Sequence, residues 1–289
     1  PRSWPKPIAP SSTMPANTSG GQLSEGHLEG MLQIVEGARQ LQGVYGPDRQ
    51  VKDAEIALVR SIVIYEDDQV IALNKPAGLS SQGARGGVNS LEDLLAVFAR
   101  SNGKRPHLVH RLDRDTSGVI LAARTKPAAA FLGKRIAARQ IRKSYLAIVT
   151  PGAPDPATGT IEVPLRRVER GREVFMQVCP PEHPDAETAL SRYRTLSRSA
   201  QAALLSVSPH TGRMHQIRVH LAHLGHPIAG DPRYGGALVL GGAGVPRLML
   251  HAQSLTFAHP SGGERKITAE PPADFIGVAS AAELDITPR

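Results

Sequence analysis

The stretch His110-Arg-Leu-Asp-Arg-Asp-Thr-Ser-Gly118 sets two carboxylates, Asp113 and Asp115, beside Arg111 and Arg114. A carboxylate next to a guanidinium keeps its negative charge at neutral pH, because the nearby cation favours the ionised form. Such a group is a nucleophile or electrostatic stabiliser that needs no metal. Thr116, Ser117 and Gly118 are turn formers, and Val119 to Ala123 is an apolar run of strand length. The charged segment therefore reads as a loop entering a buried strand, the kind of place where functional side chains concentrate. A solvated turn with surface ion pairs is the bland alternative for an Arg-x-Asp-Arg-Asp run.

Other residues able to do chemistry are fewer. His215, His220, His223 and His226 invite a metal, and the last three repeat every three residues, roughly one helix face. No Glu joins them in a His-Glu-x-x-His arrangement, and Gly225 is placed to end the helix before His226, so a histidine-metal hydrolase is the minor reading and no metal is expected. The single cysteine, Cys179, can form no internal disulfide and has no cysteine partner for zinc. No Gly-x-Gly-x-x-Gly or Walker loop suggests a dinucleotide or nucleotide cofactor.

The elements that must position these residues alternate short strands with few helices, as 24 Pro and 28 Gly in 289 residues suggest. Ser61 to Tyr65 and Gln69 to Leu73 read as strands joined by Glu66-Asp67-Asp68. Leu91, Leu94, Leu95 and Phe98 fit a helix between Ser90 and Arg100, with Ser90 and Asp93 in its first turn. Pro127 to Arg139 reads as a second helix, and Lys143 to Val149 as a strand. Residues 150–190 read as hairpins with long connections, and Leu204 to Ser208 as a strand leading to a helix from Gln216 to Leu224. Leu248 to Ala252 and Leu255 to Phe257 read as a strand pair near the C-terminus, followed by Pro271-Pro-Ala-Asp-Phe275. Residues 1–21 are rich in Pro, Ser, Thr and Gly and are expected to be disordered. Residues 22–60 carry one apolar helical stripe, Leu28, Met31, Leu32, Val35, Ala38 and Leu41.

A formal charge of +8 and a pI near 9.9 favour an anionic partner, nucleic acid first. Lys134, Arg135, Arg139, Arg142 and Lys143 follow the Asp113 motif with no acidic residue among them, which suits a surface tracking phosphates. No apolar stretch reaches membrane-spanning length and no signal peptide core opens the sequence, so a cytoplasmic location is expected.

Four separated blocks then agree, in order, with one family. Asn74-Lys-Pro-Ala-Gly-Leu79, His110-Arg-Leu-Asp-x-x-Thr-Ser-Gly118, Lys143-x-Tyr145-x-Ala147, and Gly212-Arg-x-His-Gln-Ile-Arg-x-His220 through Gly230-Asp231 and Tyr234-Gly235 resemble the RluA family of RNA pseudouridine synthases. The likeness covers about residues 61 to 275, and Leu79-Ser-Ser-Gln-Gly83 is most similar to the bacterial branch acting on large-subunit ribosomal RNA. The resemblance implies an α+β fold with a mixed, largely antiparallel sheet, formed by residues 61–289. The S4-type RNA-binding domain that many relatives carry is not matched in residues 22–60. It implies isomerisation of specific uridines, without cofactor, by a monomer acting on 23S ribosomal RNA. A synthase acting on tRNA, or a catalytically silent rRNA-binding assembly factor, are the alternatives. By position in the motifs, Asp113 would be the catalytic carboxylate, Tyr145 would stack on the uracil, and Arg218 would pair with Asp113. Arg111 would fill the gap left by the flipped base, and Arg139, Arg142, Lys143, Lys75 and His215 would complete the RNA contacts. Asp115 falls on a variable position and is read as a turn carboxylate.

Overall fold

The computed structural model describes residues 60, 62–83, 90–171 and 173–286. The expectations of disorder for residues 1–21 and of a helical stripe from Leu28 to Leu41 lie outside the described residues.

Strands β1 (Val63–Glu66) and β2 (Val70–Lys75) form an antiparallel hairpin. Asp67 closes its turn by accepting the amides of Gln69 and Val70 on one carboxylate oxygen. Ser90 and Asp93 make a reciprocal capping box that starts α1 (Leu91–Leu94). The expected longer helix continues as a 3-10 turn, Leu95–Phe98, which lets Leu91, Leu94, Leu95 and Phe98 all bury. Strand β3 (His107–Leu108) borders β4 (Ser117–Ala123), the strand that the charged motif enters. Thr125 caps α2 (Lys126–Ala137), and Arg139, at a left-handed φ of 57°, ends it. Strands β5 (Arg142–Val149), β6 (Thr158–Glu162), β7 (Leu165–Arg170), β8 (Glu173–Val178), β9 (Leu190–Arg198) and β10 (Ala203–Pro209) follow. After them come α3 (Gln216–His223), the small hairpin β11 (Val239–Leu240) and β12 (Ala243–Gly244), then β13 (Leu250–Ala258), β14 (Glu264–Thr268) and α4 (Ala273–Ala281).

Among the described residues, the main sheet has ten strands with the path β1-β2-β4-β13-β5-β10-β9-β6, with β14 on β13 and β3 on β4. Among the described residues, only β4 and β13 run parallel, so the sheet is mixed and largely antiparallel, as expected. They cross closely at Gly118, where a Cβ would fall 2.2 Å from the Ala252 carbonyl oxygen, so glycine is required there. The inner strands are apolar on both faces, and their two-residue period splits them between two cores. Ile71, Leu73, Ile120 and Ala122 pack with α1 on one side. Val70, Ala72, Val119 and Leu121 pack with Ala128 and Leu132 of α2 on the other.

The C-terminal region departs from the sequence reading in two ways. Leu250–Ala258 is one continuous strand, because a register shift between Ala252 and Ser254 absorbs the polar Gln253-Ser254 pair that suggested a turn. Beyond the strand pair, where no element was expected, α4 starts after Pro272, with Phe275, Val278 and Ala279 buried at helical spacing. Among the described residues, no helix is long and apolar enough to cross a membrane.

Candidate active site

Asp113 sits between two residues whose backbone groups are tied to another segment. The Leu112 amide donates to Ser81 Oγ at 3.0 Å, and the Ser81 hydroxyl donates to the Leu112 carbonyl at 2.7 Å. The Arg114 carbonyl accepts from the Gly78 amide and from Lys75 Nζ, each at 2.9 Å. Lys75 is fully buried, and its ammonium also donates to the Pro76 and Leu79 carbonyls at 2.8 Å. Burial pulls its pKa down to about 7, against the opposing pull of Asp115 and Asp113. The expectation that Lys75 meets RNA is therefore corrected. The Asn-Lys-Pro element folds over its own ammonium, whose three protons go to two carbonyls of its own segment and to the Arg114 carbonyl of the Asp113 loop.

His110 braces the loop from the other side. Its Nε2 accepts the Leu121 amide at 3.1 Å, which places the ring proton on Nδ1. Burial, reinforced by the charge of Lys143, holds the ring well below the ordinary histidine range, so it is neutral.

Helix α3 brings Arg218 to Asp113, but not as its first partner. Arg218 donates through Nε and Nη2 to the two oxygens of buried Asp231, both at 2.8 Å. Its Nη1 then faces Asp113 Oδ2 at 3.5 Å. Asp231 also accepts the amides of Arg233 and Tyr234, so this carboxylate fixes the guanidinium that faces Asp113. The guanidinium lies 5.0 Å from the centre of the Tyr234 ring. The Tyr234 hydroxyl accepts the Met176 amide at 3.0 Å and meets His215 Nδ1 at 2.8 Å. Donating its own proton to Nδ1 leaves His215 protonated on Nε2, which faces Asp113 Oδ2 at 3.9 Å. Burial lowers the His215 pKa, with Asp113 opposing and Arg218 assisting, so this contact is made by a neutral ring.

The opposite wall comes from β5. Lys143 and Tyr145 point into a cleft of about 570 Å³ that Asp113, Thr116, Met214 and Arg218 also line. Burial, with the Asp113 charge adding to it, pushes the Tyr145 hydroxyl far above its usual range. Tyr145 thus offers a flat ring and a hydroxyl that keeps its proton. A second hollow of about 520 Å³ opens on the other side of the Asp113 loop, lined by Ser80, Gln82, Arg114 and Arg233. Exposed Arg111 lines both.

A family model for RNA pseudouridylate synthase matches residues 69–223, which carry the Asp113 loop, β5 and α3. The chain belongs to the RluA family of RNA pseudouridine synthases. It is 39% identical over 217 residues to the ribosomal large subunit pseudouridine synthase C of Salmonella typhimurium, a match covering 73% of this chain and 66% of that protein. It is 39% identical over 237 residues to the ribosomal large subunit pseudouridine synthase D of Xanthomonas campestris, covering 77% and 70%. Among solved structures, human RNA pseudouridylate synthase domain containing 4 superposes with a TM-score of 0.69 at 26% identity, covering 80% of this chain and 98% of that one. A second family model, described as thiolase C-terminal domain-like, matches residues 5–74. Its described part from Ile62 to Asn74 is the first hairpin of the synthase sheet.

In this RluA-family fold, the structure gathers Asp113, Tyr145, Arg218, Arg111, Lys143 and His215 around one cleft. Arg142 is not among them, so the structure does not bring it to the cleft. Strand side chains alternate, so Arg142 leaves β5 on the far side and pairs with Glu264 at 2.9 Å. Arg139 is exposed just beyond α2, whose Ile136 lines the cleft. Asp115 is exposed and lies 3.7 Å from Arg114. Three of the four histidines go to separate partners, His215 to Tyr234, His220 to Ser191 and the Val163 carbonyl, and His226 to the Pro151 carbonyl, while His223 shares none of them. Sequence reasoning missed Ser81, and it gave Asp231 and Tyr234 no role although both stood in a recognised block. Their place in the Gly230-Asp231 and Tyr234-Gly235 block was the available signal for the latter two, while Ser81 stood in the Leu79-Ser-Ser-Gln-Gly83 block with nothing local to tie it to Leu112.

Proposed function

We propose that this chain isomerises uridine to pseudouridine in the RNA of the large ribosomal subunit, using Asp113 and no cofactor or metal. The observation that carries this is the clamped Asp113 loop, which presents a carboxylate, oriented by Arg218, to the Tyr145 side of an open cleft. Breaking the N1–C1′ bond, turning the base and joining C5 to C1′ is redox-neutral, so a positioned carboxylate and a base platform suffice. A stacked uridine must first leave its helix, at a cost of roughly a few kcal/mol. Arg111, exposed at the mouth, is suited to hold the vacated place, and Tyr145 to stack on the flipped uracil. One chain supplies every one of these groups, which supports action as a monomer. The named relatives modify ribosomal RNA, which supports a cytoplasmic site of action.

The test incubates the purified protein with unmodified large-subunit ribosomal RNA and, separately, with tRNA, and maps pseudouridine at nucleotide resolution. Pseudouridine at discrete uridines of the ribosomal RNA is the expected outcome. Modification of tRNA alone moves the substrate, and binding without modification in either RNA makes the chain a silent RNA-binding factor.

A further inference from the structure

Asp113, Arg218 and His215 occupy one wall of the cleft, and the facing wall carries a cation that none of them uses. Lys143 is half-buried on β5, opens into the cleft, and makes no hydrogen bond or ion pair with any described residue. Burial without a compensating carboxylate pushes its ammonium below the ordinary lysine range. A partly desolvated, unpaired cation is costly to the folded protein, and an anion entering the cleft would offset that cost.

Its place on the strand indicates which anion. Lys143 and Tyr145 are two residues apart on the same face, so their Cα atoms are about 7 Å apart and a base lying on the Tyr145 ring is within reach of the lysine stem. Phosphates stay with the RNA backbone at the rim, where Arg111 and Arg167 are exposed. In the reading proposed above, the group that enters beside Tyr145 is the uracil.

We propose that Lys143 is a catalytic residue that stabilises the uracil anion formed when the glycosidic bond breaks. This rests on the pseudouridine synthase reading above. When N1–C1′ cleaves, the bonding electron pair leaves with the base and its charge spreads over N1 and the two carbonyl oxygens. The ammonium faces that charge while the ring turns. The C5 carbon then donates a pair to C1′, the C5 proton is lost, N1 gains a proton, and no oxidant or reductant is consumed. A fixed cation in a partly water-excluded cleft acts more strongly on charge that develops in the reaction than on the neutral bound base.

The experiment compares wild-type protein, Asp113→Asn, Lys143→Met and Lys143→Arg by single-turnover rate and by RNA affinity across salt concentrations. Lys143→Met keeps the stem and removes the charge, so the rate in the bound complex should fall about 10²- to 10³-fold. Affinity should stay within about threefold and the salt slope should not change. Lys143→Arg restores a cation and should recover at least about tenfold of the lost rate. A phosphate anchor gives the opposite pattern, weaker binding with a flatter salt slope and an unchanged bound rate, and overturns the proposal. So does an arginine variant no faster than the methionine variant. Failure of the wild-type protein to form any pseudouridine would instead overturn the underlying reading, and this proposal with it.

Discussion

The two faces of β5 differ by one step along the chain and by almost everything else. On the front, Lys143 and Tyr145 enter a cleft where Asp113 and Arg218 are held by Ser81, Lys75 and Asp231. On the back, Arg142 meets Glu264 with both side chains more than half exposed, and Ser144 touches Ser206 at 3.3 Å. The back groove of about 640 Å³ sets Arg194 and Lys266 against Glu270 and Asp285, so its charges balance. An exposed ion pair contributes about 0–1 kcal/mol and is screened by salt. The front-face charges are partly desolvated and oriented, which is the condition for acting on a substrate. Basic residues adjacent in sequence therefore differ in surroundings according to the pleat of the strand.

The largest test of this contrast silences the front. Asp113→Asn keeps the shape and removes the charge, and pseudouridine formation should fall by more than about four orders of magnitude, roughly 5.5 kcal/mol of barrier. RNA affinity should survive, measured by filter binding. Near-normal turnover would show that the clamped loop is not the reacting centre.

The next test probes β13, the strand that pairs with β5. His251 on β13 is fully buried, with Nδ1 3.0 Å from Ser117 Oγ and Nε2 3.0 Å from the Ala269 carbonyl. Burial, partly opposed by the Ala269 carbonyl, lowers its pKa to about 4. The unfolded chain binds this proton near pH 6.5, so its contribution to stability is complete above that pH. It is lost as pH falls toward 4, amounting to about 3 kcal/mol. Urea denaturation at pH 7 and pH 4.5 should show this loss, and His251→Gln should flatten it. An equal pH dependence in both proteins would assign the loss to other groups.

Smaller effects sharpen the contrast. Asp115→Asn should leave the rate within about tenfold, less than roughly 1.4 kcal/mol, because its carboxylate faces solvent beside Arg114. A loss as deep as that of Asp113→Asn would make the two carboxylates a working pair. Arg142→Gln should change RNA affinity by less than about 0.5 kcal/mol and leave its salt slope unaltered. A slope flatter by about one unit would bring RNA around to the back of the sheet.

Local patterns carried much of the architecture. The Asp67 turn, the Ser90 and Asp93 cap, the strand after Gly118 and the helix from Gln216 were legible because each depends on residues a few positions apart. The same locality misread Gln253-Ser254, where pairing with β5 on one side and β14 on the other keeps the strand continuous through a polar pair.

What the sequence determined by itself was the inventory: a carboxylate among arginines on a loop entering a buried strand, a tyrosine on a later strand, an arginine on a later helix, and the family these blocks resemble. Only the tertiary structure decided how they are held. Ser81 reaches Leu112 across 31 positions, Lys75 reaches Arg114 across 39, and Asp231 claims the two strongest contacts of Arg218. Spacing along the chain predicts contacts within a turn, a helix or a hairpin, where backbone geometry fixes the distance. Contacts between distant segments depend on strand order and on which way each pleat faces, and a run of charges such as Arg142-Lys143 looks the same in sequence whichever side it takes.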